Sequence, residues 1–176
     1  ALKTDISSED EVDRMVRRTI DEFGCINILV NNAAFRSETH ALFQEMPMSE
    51  WESQIGITFM GTLLCCRAVI PHMISQQNGR IVNVTSNAAK AGLQFKSIYS
   101  ACKAAVAGFS RSIALELATQ GITVNCVSPG AINTPHLAMI RAAFPERAKE
   151  HSVMIPMGRI GEPEDVANMI AFLTSD

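Results

Sequence analysis

Apolar residues in this chain recur at two periods, one suited to short buried strands and one to helices. Three short runs, INILVNNAA (26–34), IVNVT (81–85) and ITVNCV (122–127), are rich in β-branched residues and read as strands buried on both faces. ALKTD at the start reads as the end of another strand. Longer segments between them carry helical spacing. Val12, Met15, Val16, Ile20 and Phe23 form one apolar stripe, with Ser8 and Glu11 as a capping box and Gly24 as the stop. The acidic cluster Glu9, Asp10, Glu11 reads as a first turn complementing the helix dipole. A second box, Ser49 with Glu52, predicts a helix running to about Gln77 and kinked at Pro71. An Ala-rich helix follows, beginning near Tyr99 and ending at Gly121, and a last one opens with Pro163 in its first turn. Strands alternating with helices predict an α/β domain with a doubly wound parallel sheet.

Two stretches fit neither period. Residues 35–48 are irregular. Residues 135–160 hold three methionines and are broken by Pro135, Pro145 and Pro156. They read as a mobile lid over a substrate pocket or as a packed helical insertion.

Composition narrows the function classes. A length of 176 residues suits one domain, and a net charge of −3 gives no electrostatic case for nucleic acid or anionic membranes. Cys25, Cys65, Cys66, Cys102 and Cys126 show no metal-ligand spacing and read as buried reduced thiols. His40, His72, His136 and His151 show no ligand spacing either, so no metal is expected. No segment is read as a membrane span and no leader is read at the start, which makes cytoplasmic the expectation.

The candidate chemistry lies between Ser86 and Lys103. Tyr99 and Lys103 stand four residues apart on a helix, so both side chains share one face. Ser86 follows the IVNVT strand. A hydroxyl, a phenol and an ammonium can then converge on a polarised oxygen, the ammonium favouring phenolate charge. Helix-face neighbours of this kind also arise without function. Tyr99 is, however, the only tyrosine, and NNAA and SPG stand at strand ends.

Together these motifs resemble the short-chain dehydrogenase/reductase family, from Asp5 to Asp176. The resemblance implies a single Rossmann-like domain, an NAD or NADP cofactor, and hydride exchange with a carbonyl or secondary alcohol. It implies Tyr99 as acid and base, Lys103 as its partner and a ribose contact, and Ser86 as the group orienting the substrate oxygen. It places Asp5 at the adenine, Asn31 and Ala33 beside the adenosine, and Pro129, Gly130, Ile132 and Thr134 along the nicotinamide. It also implies a homodimer or homotetramer built through the helices at 49–77 and 99–119.

Three departures stand out. Thr58 occupies the place of the family's catalytic asparagine, so the proton relay to solvent rests on a shorter hydroxyl. Ala34 replaces a usual glycine. No Gly-rich phosphate loop precedes the first strand, so the chain reads as a domain incomplete at both ends. A non-catalytic scaffold or cofactor-binding relative is the alternative from another class.

Overall fold

The computed structural model describes residues 1–35, 37, 40–143 and 155–175, with the side chains of His136, Ile140, Arg141 and Ala143 left aside. Its centre is strand β2 (Gly79–Val84), flanked by β1 (Ile28–Asn31) and β3 (Ile122–Val127). All pairs are parallel, in the order β1-β2-β3, with Ile81 facing Leu29 on one side and Val124 on the other. Parallel neighbours need crossover connections, and the helical segments predicted between the strands supply them. These are α2 (Met48–Ser53) and α3 (Gly61–Gln76) before β2, then α4 (Ala88–Ala91) and α5 (Ser97–Leu117) before β3. Helix α1 (Glu9–Phe23) precedes β1, while α6 (Pro135–Ala143) and α7 (Pro163–Thr174) follow β3. The sheet is doubly wound and Rossmann-like, as expected.

The main core joins α1, α3 and α5 to one sheet face through Val16, Cys66, Val69, Met73, Ile81, Ile113, Leu117 and Ile122. Each such buried side chain contributes roughly 1.5–3 kcal/mol. Val82 points to the opposite face, where α7 packs on β2 and β3, and it too is fully buried. Met73 fills the space above Gly79 so closely that a Cβ there would collide with it.

Several sequence expectations change. Residues 1–5 belong to no ladder pair, so the strand end expected there is not formed. β1 is half open rather than buried on both faces: Ile28 and Val30, 48% and 39% exposed, share one face, where α7 packs on β2 and β3. Ser8 does cap α1, accepting from Glu11 N, but the Glu11 carboxylate takes Asp5 N instead of closing the box. Gly24 ends the helix at φ +82, as glycine permits. Phe23 is 75% exposed, whereas Val12 and Val16 of the same stripe are buried.

The long second helix also differs. Its N-cap is Pro47, whose φ of −59° already suits a helix, so Ser49 lies inside the first turn and the expected Ser49–Glu52 box is absent. Pro71 does not end it. The irregularity sits earlier, in a π-helical segment, Gln54–Met60. Counted continuously, Met48–Gln76 is long and apolar enough to cross a membrane, contrary to the expectation of no such segment. Here its apolar residues Cys65, Cys66, Val69 and Met73 are buried in the protein core.

Candidate active site

β2 ends at Val84, and the chain leaves it through Thr85 and Ser86. Thr85 stays tied to β3, its N–H and hydroxyl both donating to Val127 O. Ser86 Oγ accepts from Ala88 N at 3.2 Å, and Asn87 N donates to Pro129 O at 2.9 Å. The Thr85 and Asn87 bonds hold the exits of β2 and β3 together at the strands' carboxyl ends, where open α/β sheets bind ligands.

Helix α5 brings the other two groups. Tyr99 is half-buried in its first turn, and Lys103 lies one turn on, only 3% exposed. The Lys103 ammonium sits 5.9 Å from the Tyr99 ring centroid and donates to Val84 O, two residues before Ser86. Burial pushes its pKa down to about 8, partly opposed by the nearby Cys102 and Cys126 thiols. The serine's strand and the tyrosine's helix are thus joined through one lysine.

Thr58 is fully buried in the π-helical segment, and its Oγ1 accepts from Phe35 N at 3.0 Å. That bond uses one of the hydroxyl's two acceptor lone pairs. The π turn is itself tied to α5, since Cys102 Sγ donates to Gln54 O.

The candidate cofactor residues divide. Ile132 forms an isolated parallel bridge with Gly161 that uses backbone groups of Ala131 and Asn133, so the bridge leaves the Ile132 N–H out. Thr134 Oγ1 accepts from Leu137 N and so caps α6. Gly130 and Ala33 are exposed at strand exits, beside Pro129. Asp5 is exposed, and its carboxylate accepts from Ser7 N–H and hydroxyl, bonds that lower its pKa. Asn31 is half-buried and donates to Asn83 Oδ1 at 2.8 Å. Asn83 in turn donates to Ser110 Oγ, making a buried polar chain from β1 to α5. The signal for this chain was present as a polar residue inside the apolar run IVNVT.

Of the five cysteines, Cys65, Cys66 and Cys102 are buried, whereas Cys25 and Cys126 are exposed, so the expectation of buried thiols holds for three. Burial raises Cys66 to about 12, leaving it unreactive. Among the described residues no group of three or more His, Cys, Asp or Glu is placed to hold a metal; His151 lies outside them.

A parallel, doubly wound sheet with a serine, a tyrosine and a lysine at its carboxyl edge defines a dinucleotide-linked enzyme architecture. Comparison with known proteins agrees. The family model described as enoyl-(acyl carrier protein) reductase matches residues 1–176. The chain is 42% identical over 98% of its length to the (2S)-[(R)-hydroxy(phenyl)methyl]succinyl-CoA dehydrogenase subunit BbsD of Thauera aromatica, covering 67% of that protein. It is 39% identical over its full length to a 3-oxoacyl-[acyl-carrier-protein] reductase of Synechocystis, covering 68% of it. The solved structure of ElxO with NADP bound superposes with a TM-score of 0.93 at 29% identity, over 99% of this chain and 70% of the other. The chain belongs to the short-chain dehydrogenase/reductase family. It is an oxidoreductase that moves hydride between a nicotinamide cofactor and a carbonyl or secondary alcohol, and it spans about two thirds of the length of these relatives.

Proposed function

We propose that Tyr99 is the acid and base of this hydride transfer, acting on a 3-oxoacyl or 3-hydroxyacyl thioester. The observation that carries it is the buried Lys103 ammonium, fixed to Val84 O beside the Tyr99 ring. The nicotinamide supplies or accepts the hydride when bound. Tyr99 gives the substrate oxygen a proton in reduction and removes it in oxidation. Lys103 favours the phenolate by its charge. It has three donors, and those beyond the Val84 bond suit a ribose hydroxyl. Ser86 orients the substrate oxygen. The Ile132 N–H and the exposed exits at Ala33 and Gly130 fit a cofactor lying along the strand ends, with Asp5 and Asn31 toward the adenosine. The relatives' names share an oxygen β to a thioester carbonyl, which supports the substrate class. The ElxO structures with NADP and NADPH support NADP(H).

The exposed Met139 and Met157 support a substrate cover in this region; 144–154, the middle of the expected insertion 135–160, lie outside the described residues. Exposed Ile55, Met60 and Leu115 on the long helices support a homodimer or homotetramer. We place the enzyme in the cytoplasm. The test is oxidation of NADPH by the natural full-length protein with acetoacetyl-CoA as probe. Turnover supports the thioester reading; reduction of simple ketones with none of acetoacetyl-CoA overturns it.

A further inference from the structure

Two loops meet one helical turn from Tyr99, and their junction uses groups outside the catalytic set. The segment after β1 contributes Ser37, which is buried, and His40. The loop before α5 contributes Phe95 and Lys96. Lys96 Nζ donates to Ser37 O at 3.1 Å, across 59 positions of sequence. Ser37 Oγ donates to Glu50 Oε1 at 2.7 Å, and Glu50 Oε2 is buried without a hydrogen-bond partner. The His40 and Phe95 rings meet edge to face at 6.4 Å.

The backbone here is held against its preference. Phe95 has φ +63°, a left-handed conformation unusual for a bulky residue and kept only where surrounding contacts over-determine it. This turn delivers Lys96 to the start of α5, where its carbonyl accepts from Ser100 N at 2.8 Å. One residue therefore begins the helix that carries Tyr99 and grips the segment leaving β1. Burying an ammonium on a backbone carbonyl is costly unless a counter-charge is close. The Glu50 carboxylate supplies it, opposing the downward pull of burial on the lysine's pKa.

We infer that Lys96 is a positioning residue of the reaction, tethering the segment after β1 to the first turn of the Tyr99 helix and so setting the wall against which the substrate carbonyl is presented. The inference rests on Tyr99 being the acid and base. The tether touches none of Asn31, Ala33, Lys103 or the 129–134 turn. Its hydrogen bonds run to Ser37 and from Ser37 to Glu50, so the larger effect is expected on substrate.

Steady-state kinetics of the natural full-length protein, with acetoacetyl-CoA and NADPH as probes, tests it in Lys96→Met, Lys96→Arg and Tyr99→Phe. Lys96→Met should lower kcat/KM for acetoacetyl-CoA about tenfold or more, the worth of one charge-assisted hydrogen bond. KM for NADPH should stay within about twofold, the scatter of a neutral substitution. Lys96→Arg should recover most of the loss. Unchanged kinetics in Lys96→Met overturn the inference, and so does an equal loss of NADPH affinity and melting temperature, which would make Lys96 a folding residue only. An inactive Tyr99→Phe beside an unaffected Lys96→Met removes the tether and leaves the acid/base reading standing. An active Tyr99→Phe removes both.

Discussion

Lys103 reaches from α5 to the last carbonyl of β2, donating to Val84 O at 2.5 Å. Through that bond the phenol at Tyr99 and the hydroxyl at Ser86 belong to one rigid unit, because Ser86 follows Val84 by two residues. The lysine does so while almost wholly buried, and burial favours its neutral form.

That cost depends on pH. The folded-state pKa of about 8 lies below the 10.5 of an ordinary lysine. Between those values the unfolded chain binds more protons than the folded one. The contribution of Lys103 to stability therefore rises with pH across that window. Lys103→Met removes this dependence. The difference in unfolding free energy between parent and variant, measured without cofactor from about pH 7.5 to 10.5, should move in the parent's favour as pH rises. A flat difference would contradict it.

Thr58 is a second test of position. Thr58→Val keeps the shape and deletes the acceptor, stranding Phe35 N–H. The expected loss is about 1–3 kcal/mol of stability in denaturant unfolding, with Thr58→Ser losing clearly less. Thr58→Asn should alter turnover less than about tenfold, below the lower end of what general acid-base catalysis contributes. A large rate gain from asparagine would show that the hydroxyl leaves the relay broken.

Asn83 holds the buried chain between Asn31 and Ser110. Asn83→Leu is close in volume but leaves both neighbours short of a partner, and should cost about 1–3 kcal/mol. Stability within about 0.5 kcal/mol of the parent would mean that the chain adds nothing net.

The strands read at 81–85 and 122–127 were legible because short β-branched runs admit few other readings, although the first begins two residues earlier, at Gly79, and ends at Val84; Pro163 and Gly24 mark their helix ends by backbone chemistry alone. The placement of Ser86 just past a strand, and of Tyr99 and Lys103 one turn apart on a helix, was legible because helical spacing and a strand exit are local facts. The open face of β1 was not, since two-sided burial depends on what lies across the sheet. Nor was the engagement of Thr58, because its partner at Phe35 is 23 residues away and reaches it only after the chain folds back. Lys96 was missed for the same reason. Its partner Ser37 sits in an irregular stretch whose pattern predicts no element, and a lone lysine before a helix carries no signal of burial.

Hydride transfer by Tyr99→Phe in the full-length protein is the decisive measurement, since it deletes one hydroxyl and leaves the ring over Lys103. NADPH affinity should stay close to parental, while turnover should fall by about 10²–10⁴-fold. Turnover within about tenfold of the parent, with NADPH still bound, would show that another group moves the proton.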